Sequence, residues 1–156
     1  MTADDGDFLS VVAVNAFGVV GVAVSLLDFF VVQKRSIFGL DPLGVMVFLL
    51  GFTVVVSARS ALGRNFSVRI RNVGERKLIQ SGPYRFVRHP IYLGIIILYF
   101  SGPIAWQSAY GALIILPIIP LLLRRINIEE KALALWFGGE YQAYKKRTKR
   151  LVPLIY

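Results

Sequence analysis

Long apolar runs separated by short polar interruptions dominate the chain, and their lengths set the first expectations. Residues 8–32 are interrupted by Asn15 and, near their end, Asp28. At about 1.5 Å per residue such a run crosses a hydrocarbon core of about 30 Å, which predicts a first transmembrane helix over 8–32. A polar turn from Gln33 to Pro42 follows, and then a shorter run predicts a second span over 43–60. That span reaches across if Arg59 snorkels or the helix continues to Leu62. Residues 91–123 are apolar again, broken at Gly102-Pro103 and at Gln107-Ser108. Glycine, proline and a polar pair favour a turn, so two antiparallel helices over 91–106 and 108–123 are expected. Pro117 and Pro120 each remove a backbone hydrogen bond and predict a kink in the second arm, which either opens a crevice or only shapes packing.

The polar segments carry the charge. Between Arg59 and His89 stand Arg64, Arg69, Arg71, Arg76, Lys77, Arg85 and Arg88, opposed only by Glu75. By the positive-inside rule this loop is cytoplasmic, and it can attract anionic headgroups. Beyond Leu123, Arg125 and Glu129 are four apart and share a helical face, while Glu130 is rotated by about 100°. The spacing predicts one carboxylate facing a pocket and the other facing water or headgroups. Leu133, Leu135, Trp136 and Phe137 keep this region amphipathic, Gly138-Gly139 marks a break, and a basic run from Lys145 to Arg150 ends it. A pair of interfacial helices beneath the bundle is the expected form. The resulting fold class is an all-α integral membrane protein of about four transmembrane helices, including a hairpin, with C-terminal interfacial helices. It forms one domain over 1–156, multi-pass, with its polar site facing the cytoplasm.

Composition narrows the possible functions. The chain is 56% hydrophobic yet holds 18 Lys plus Arg against 9 Asp plus Glu, for a net charge of +9. Apolar runs of this length exclude a soluble nucleic-acid binder despite the charge. Without cysteine there is no disulfide, thiolate metal site or thiol nucleophile, and a single histidine argues against protein-bound zinc. Asp4, Asp5 and Asp7 replace the positive region of a secretory signal peptide, so the first apolar stretch is expected to be retained. Asp28 is either a functional intramembrane carboxylate or an interfacial partner of Lys34 and Arg35. Neither a phosphate loop nor a nucleophile elbow is present.

The segment 78–94 concentrates the candidate chemistry. Proline after His89 pushes that histidine toward an extended conformation, and Pro90 is a favoured first helical residue. Arg88 and His89 therefore stand at a helix mouth whose unpaired N–H groups, with Arg85, suit a carboxylate or phosphate.

Two blocks carry a resemblance. The first is Gly82-Pro83-Tyr84 followed by Arg88-His89-Pro90-Ile91-Tyr92-Leu93-Gly94. The second is Arg125-Ile126 with Glu129-Glu130, then Leu133, Phe137-Gly138, Glu140-Tyr141, Tyr144, Arg147 and Pro153. Flanking an apolar hairpin, they resemble the membrane isoprenylcysteine carboxyl methyltransferases and related phospholipid methyltransferases. The resemblance implies methyl transfer from S-adenosyl-L-methionine at the cytoplasmic membrane face, without a Rossmann domain. It implies a cofactor site of Arg76, Lys77, Leu78, Ile79, Tyr84, Arg88, His89, Pro90, Ile91, Tyr92 and Glu129. Arg125 looks like the family's substrate-facing arginine, with Glu130 and Arg147 joining it in the catalytic set. The partners implied are a lipophilic acceptor, prenylated or lipid, and membrane lipids, with no nucleic acid; oligomeric state is left open. An isoprenylcysteine-like carboxylate is the first acceptor expected, and a phospholipid or small-lipid amine the second. A non-catalytic lipid-binding relative and a nicotinamide-dependent reductase resembling the sterol reductases are the competing classes.

Overall fold

The computed structural model describes residues 3–33, 39–63 and 78–152. Five α-helices account for most of them. Helix α1 (Ala3–Leu27) widens into a single π-helical segment, Asp28–Val32; α2 is Pro42–Leu62, α3 is Pro90–Ala105, α4 is Ala109–Ile115 and α5 is Ile118–Arg147. Among the described residues the one departure from helix pairing is an isolated parallel bridge between Val87 and Lys149.

Local chemistry explains the boundaries. Asp41 caps α2 by accepting the Leu43 N–H at 2.9 Å, with Pro42 in the first turn. Carrying on to Leu62 gives α2 21 residues, about 31 Å, which meets the length condition for a span. Helix α3 starts at Pro90 as expected, and Ser108 caps α4 by accepting from Gly111 N at 3.2 Å. The hairpin lies at 106–108, between the two. Its second arm differs from the expectation. The chain breaks at Leu116-Pro117, so the arm is two helices, and Pro120 sits harmlessly in the first turn of α5 where no i→i−4 donor is required. A second correction concerns 124–137, which continue α5 without interruption; the bend comes at Gly138, whose φ of +48° favours glycine.

Three helical stretches, Leu9–Val32, Pro42–Leu62 and Ala109–Arg147, are long and apolar enough to cross a membrane, and Pro90–Ala105 is a shorter apolar helix. The chain is an integral membrane protein, and its packing follows the bilayer's logic: small residues allow close helix contact, while large ones face outward. A Cβ on Gly94 would stand 2.6 Å from Val55 and 3.1 Å from the Gly51 carbonyl, so α2 and α3 meet backbone to backbone. Leu49, Leu50, Phe48 and Phe52 of α2 are exposed, as lipid contact requires. Val14, Ile115, Ile118 and Leu122 form the buried core, flanked by Tyr92, Ile96, Tyr99 and Phe100.

The bundle has two polar ends. At one, Asp41 N–H donates to Ala105 O at 2.9 Å, and Gln33 donates to buried Asp28 at 3.2 Å and to Gln107 O at 3.4 Å. Ser10, Arg125 and the start of α3 meet at the other end. Asp28 is thus about 27 Å of helix away from Ser10, remote from the candidate site.

Candidate active site

The site grows from the short segment before α3. A tight 3-10 turn over Gly82–Arg85 brings the chain to Phe86–His89, which then runs beside the residues following α5. Arg88 N–H donates to Lys149 O at 2.8 Å, His89 N–H to Arg150 O at 3.1 Å, and Lys149 N–H to Phe86 O at 3.2 Å. Extended backbone before a proline leaves these N–H groups facing sideways, and the C-terminal tail satisfies them.

That pairing places Arg88 opposite Glu130. The guanidinium donates from Nε to Glu130 Oε1 at 2.8 Å and from Nη1 to Thr148 O at 2.5 Å and Lys145 O at 3.3 Å. Arg150 reaches Glu130 Oε2 at 3.1 Å, Lys145 Nζ lies 3.8 Å away, and Arg150 also bonds Asn127. Two expectations are corrected here. Arg88 is committed to a carboxylate and two carbonyls, so it does not add free positive charge at the helix mouth. Glu130 is buried and does not face water or headgroups, because Arg88 from the segment before α3 and Lys145 and Arg150 from the C-terminal region gather around it. Burial alone would raise the Glu130 pKa, but His89, with Nε2 at 3.5 Å, and Arg88 outweigh it and lower it to about 2. Glu130 lies beyond the apolar stretch of α5, which ends at Leu123.

Glu129 has different surroundings. Its side chain is 34% exposed, it accepts from the Tyr92 hydroxyl at 2.8 Å, and His89 Nδ1 stands 3.7 Å away. Tyr92 in turn accepts from Arg125 Nε at 2.9 Å, and Arg125 Nη1 reaches Ser10 Oγ of α1 at 3.4 Å. A carboxylate, a phenol and a buried guanidinium therefore form one chain of hydrogen bonds from the open edge toward α1. His89 stacks on Tyr92 with ring centroids 5.7 Å apart, held between both carboxylates.

Tyr84 is buried, and its carbonyl accepts from the Tyr144 hydroxyl at 2.7 Å. Burial, then Glu129, push the Tyr84 phenol well above its ordinary value, so it stays neutral. Burial likewise pushes Tyr144 up to about 12. Pro90 is fully buried; Ile91, Leu78 and Ile79 are half-buried. Arg76 and Lys77 lie outside the described residues. Arg147 is exposed and donates to Gln80 at 2.8 Å; the structure does not bring it together with Arg125 and Glu130, because it follows the Gly138 bend and turns to solvent.

Sequence reasoning assigned no site role to Tyr141, Tyr144, Lys145, Thr148 or Arg150. Tyr141 is fully buried, and among the described residues neither its hydroxyl nor His89 Nε2 has a hydrogen-bond partner. The tail's basic run read as the end of the interfacial helices, and only its spacing from the second block could have pointed inward.

Chemically, the Glu129 edge suits a cationic or hydroxyl-bearing ligand, with neutral phenols near it, while the Arg125 end suits an anion. Among the described residues no group of His, Asp and Glu is arranged to hold a metal ion.

Comparison with known proteins adds to this geometry. The model of the isoprenylcysteine carboxyl methyltransferase (ICMT) family matches residues 43–135. Methanethiol S-methyltransferase 1 of Bradyrhizobium diazoefficiens is 38% identical over 71 residues, covering 45% of this chain and 24% of that protein. Protein-S-isoprenylcysteine O-methyltransferase of Schizosaccharomyces pombe is 30% identical over 127 residues, 77% of this chain and 51% of the relative. A solved structure of the eukaryotic intramembrane Ras methyltransferase ICMT is similar with a TM-score of 0.70 at 22% identity, over 99% of this chain and 55% of that one. The chain thus spans about half the length of most of the relatives it matches, and a quarter of the methanethiol enzyme.

Proposed function

We propose that this chain, which belongs to the isoprenylcysteine carboxyl methyltransferase family, is a membrane methyltransferase that uses S-adenosyl-L-methionine and methylates a lipophilic acid such as an isoprenylcysteine carboxylate. The observation that carries the reading is the hydrogen-bonded series Glu129, Tyr92, Arg125, which sets an anionic edge and a cationic end on either side of one phenol.

When bound, S-adenosyl-L-methionine supplies an electrophilic methyl group on a sulfonium. Glu129, partly open, is placed to hold its amino group or ribose hydroxyls, and the phenols of Tyr84 and Tyr92 favour a nearby positive charge while remaining neutral. Ile91, half-buried and backed by Pro90, offers an apolar wall at the start of α3. Arg125 pairs with the acceptor carboxylate through its guanidinium, leaving one oxygen free to attack. No strong base is required, since a carboxylate is ionised at pH 7. Positioning and exclusion of water then account for most of the acceleration. Glu130 serves as the anchor of the Arg88 and tail cluster rather than as a reacting group, and Arg147 as an exposed partner of Gln80. The site faces the cytoplasm in this reading, on the side where the basic residues gather, and residues 1–156 act as one domain.

Likeness to a methanethiol S-methyltransferase favours a second acceptor class, a small thiol, whose thiolate would meet the same Arg125. Protein in lipid nanodiscs, given donor labelled in its methyl group and either a farnesylated cysteine analogue or a short alkyl thiol, decides between them. A base-labile labelled ester supports carboxylate methylation. A base-stable thioether instead supports the thiol class, and no product from either acceptor overturns both.

A further inference from the structure

The tail that closes the site also builds a surface. Along the bridged segments Val87, Thr148 and Leu151 are buried, while Phe86, 60% exposed, Lys149 and Val152 are exposed. The Arg85 guanidinium lies 5.3 Å over the Phe86 ring, and Lys149 N–H donates to Phe86 O. Lys146 and Arg147 are exposed on the preceding turn of α5, whereas Glu140, the acidic residue in this part of the helix, is occupied with Gln80. The result is an apolar ring and a valine framed by cations.

Depth in the bilayer identifies what meets them. Helix α3 has 16 residues, about 24 Å, against a hydrocarbon core of about 30 Å. With α3 centred in that core, its first turn lies just inside the hydrocarbon boundary, and Phe86, four residues before Pro90, reaches headgroup level. A ring at the acyl boundary with arginine and lysine beside it is the form of an interfacial anchor on an anionic surface.

We infer that the face formed by Arg85, Phe86, Lys149 and Val152 docks onto anionic lipid headgroups, and that this docking steadies the backbone of Arg88 and His89. Each basic side chain near such a surface strengthens association about fivefold. The coupling is direct, because the outward residues belong to or adjoin the two segments whose N–H groups bond across the bridge at 2.8 to 3.2 Å. This goes beyond the proposed reaction and does not depend on it.

Amide hydrogen exchange at Arg88, His89 and Lys149 tests it, using the full chain in nanodiscs of phosphatidylcholine with and without phosphatidylglycerol. Exchange at these amides is expected to slow about fivefold or more in anionic discs, and to lose that slowing at high salt. In the Arg85→Gln, Lys149→Gln double variant, exchange in zwitterionic discs stays as in the parent and the slowing disappears. Glycerophosphate added in solution to phosphatidylcholine discs leaves exchange unchanged. Equal exchange in both lipid compositions overturns the inference, as does slowing that survives in the double variant or that glycerophosphate alone produces.

Discussion

Glu129 and Glu130 are neighbours on one helix turn, yet they live in opposite surroundings. Glu129 keeps a third of its side chain exposed and meets a neutral phenol and an imidazole. One residue further on, Glu130 is buried among Arg88, Arg150 and Lys145. The difference separates binding from building: a carboxylate with an open edge can exchange water for a ligand, whereas one enclosed by its counter-charges is spent on holding two segments together. Both touch His89, which makes the histidine the joint between them.

Breaking the enclosed member is expected to have the largest effect. Glu130→Gln leaves Arg88 without its charge partner and should destabilise the protein by about 3–5 kcal/mol, seen as a lower melting temperature in detergent. The same anchor sets an acid limit. Because the folded pKa of Glu130 is lowered from 4.5 to about 2, its contribution is complete above pH 4.5 and is lost as pH falls toward 2. Melting temperature plotted against pH should show that loss in the parent and much less of it in Glu130→Gln. An unchanged acid slope would reject the assignment.

Glu129→Gln sharpens the comparison from the other side. It should leave the melting temperature nearly as it was while weakening binding of S-adenosylhomocysteine by about tenfold or more, as for loss of a charge-assisted hydrogen bond. Calorimetry on the purified protein measures this; equal affinity would remove Glu129 from the ligand site.

The smallest expected effects come from two tyrosines that back the anchor. Tyr144→Phe removes the bond to Tyr84 O and should cost about 1 kcal/mol. Tyr141→Phe removes a buried hydroxyl with no partner among the described residues and should be neutral or stabilising by about 1 kcal/mol. A lowered melting temperature for Tyr144→Phe and an equal or higher one for Tyr141→Phe support the described packing.

Much of the architecture was legible because it depends on neighbours in sequence. Asp41-Pro42 starts α2, Pro90 starts α3, Gln107-Ser108 turns the hairpin, and Gly138 bends α5, each through its own backbone chemistry, whereas Gly102-Pro103, expected as a break, stay inside α3. The break at Pro117 was anticipated as a kink, but Pro120 was not separable from it, since a proline's effect depends on whether it falls in a first turn. Within the site, the fourfold spacing of Arg125 and Glu129 placed them on one face, and Tyr92 joins them there. For Glu130 the same helical arithmetic pointed outward, and it was wrong for a reason no local rule contains: the tail returns.

Sequence by itself determined the apolar spans, the helix ends and the residue types gathered at the polar end, because length, hydropathy and proline chemistry act over a few residues. Tertiary structure alone decided which carboxylate is enclosed. Arg88 finds Thr148 60 positions away and Glu130 42 away, and only closure of those long loops brings cations to one glutamate and leaves its neighbour open.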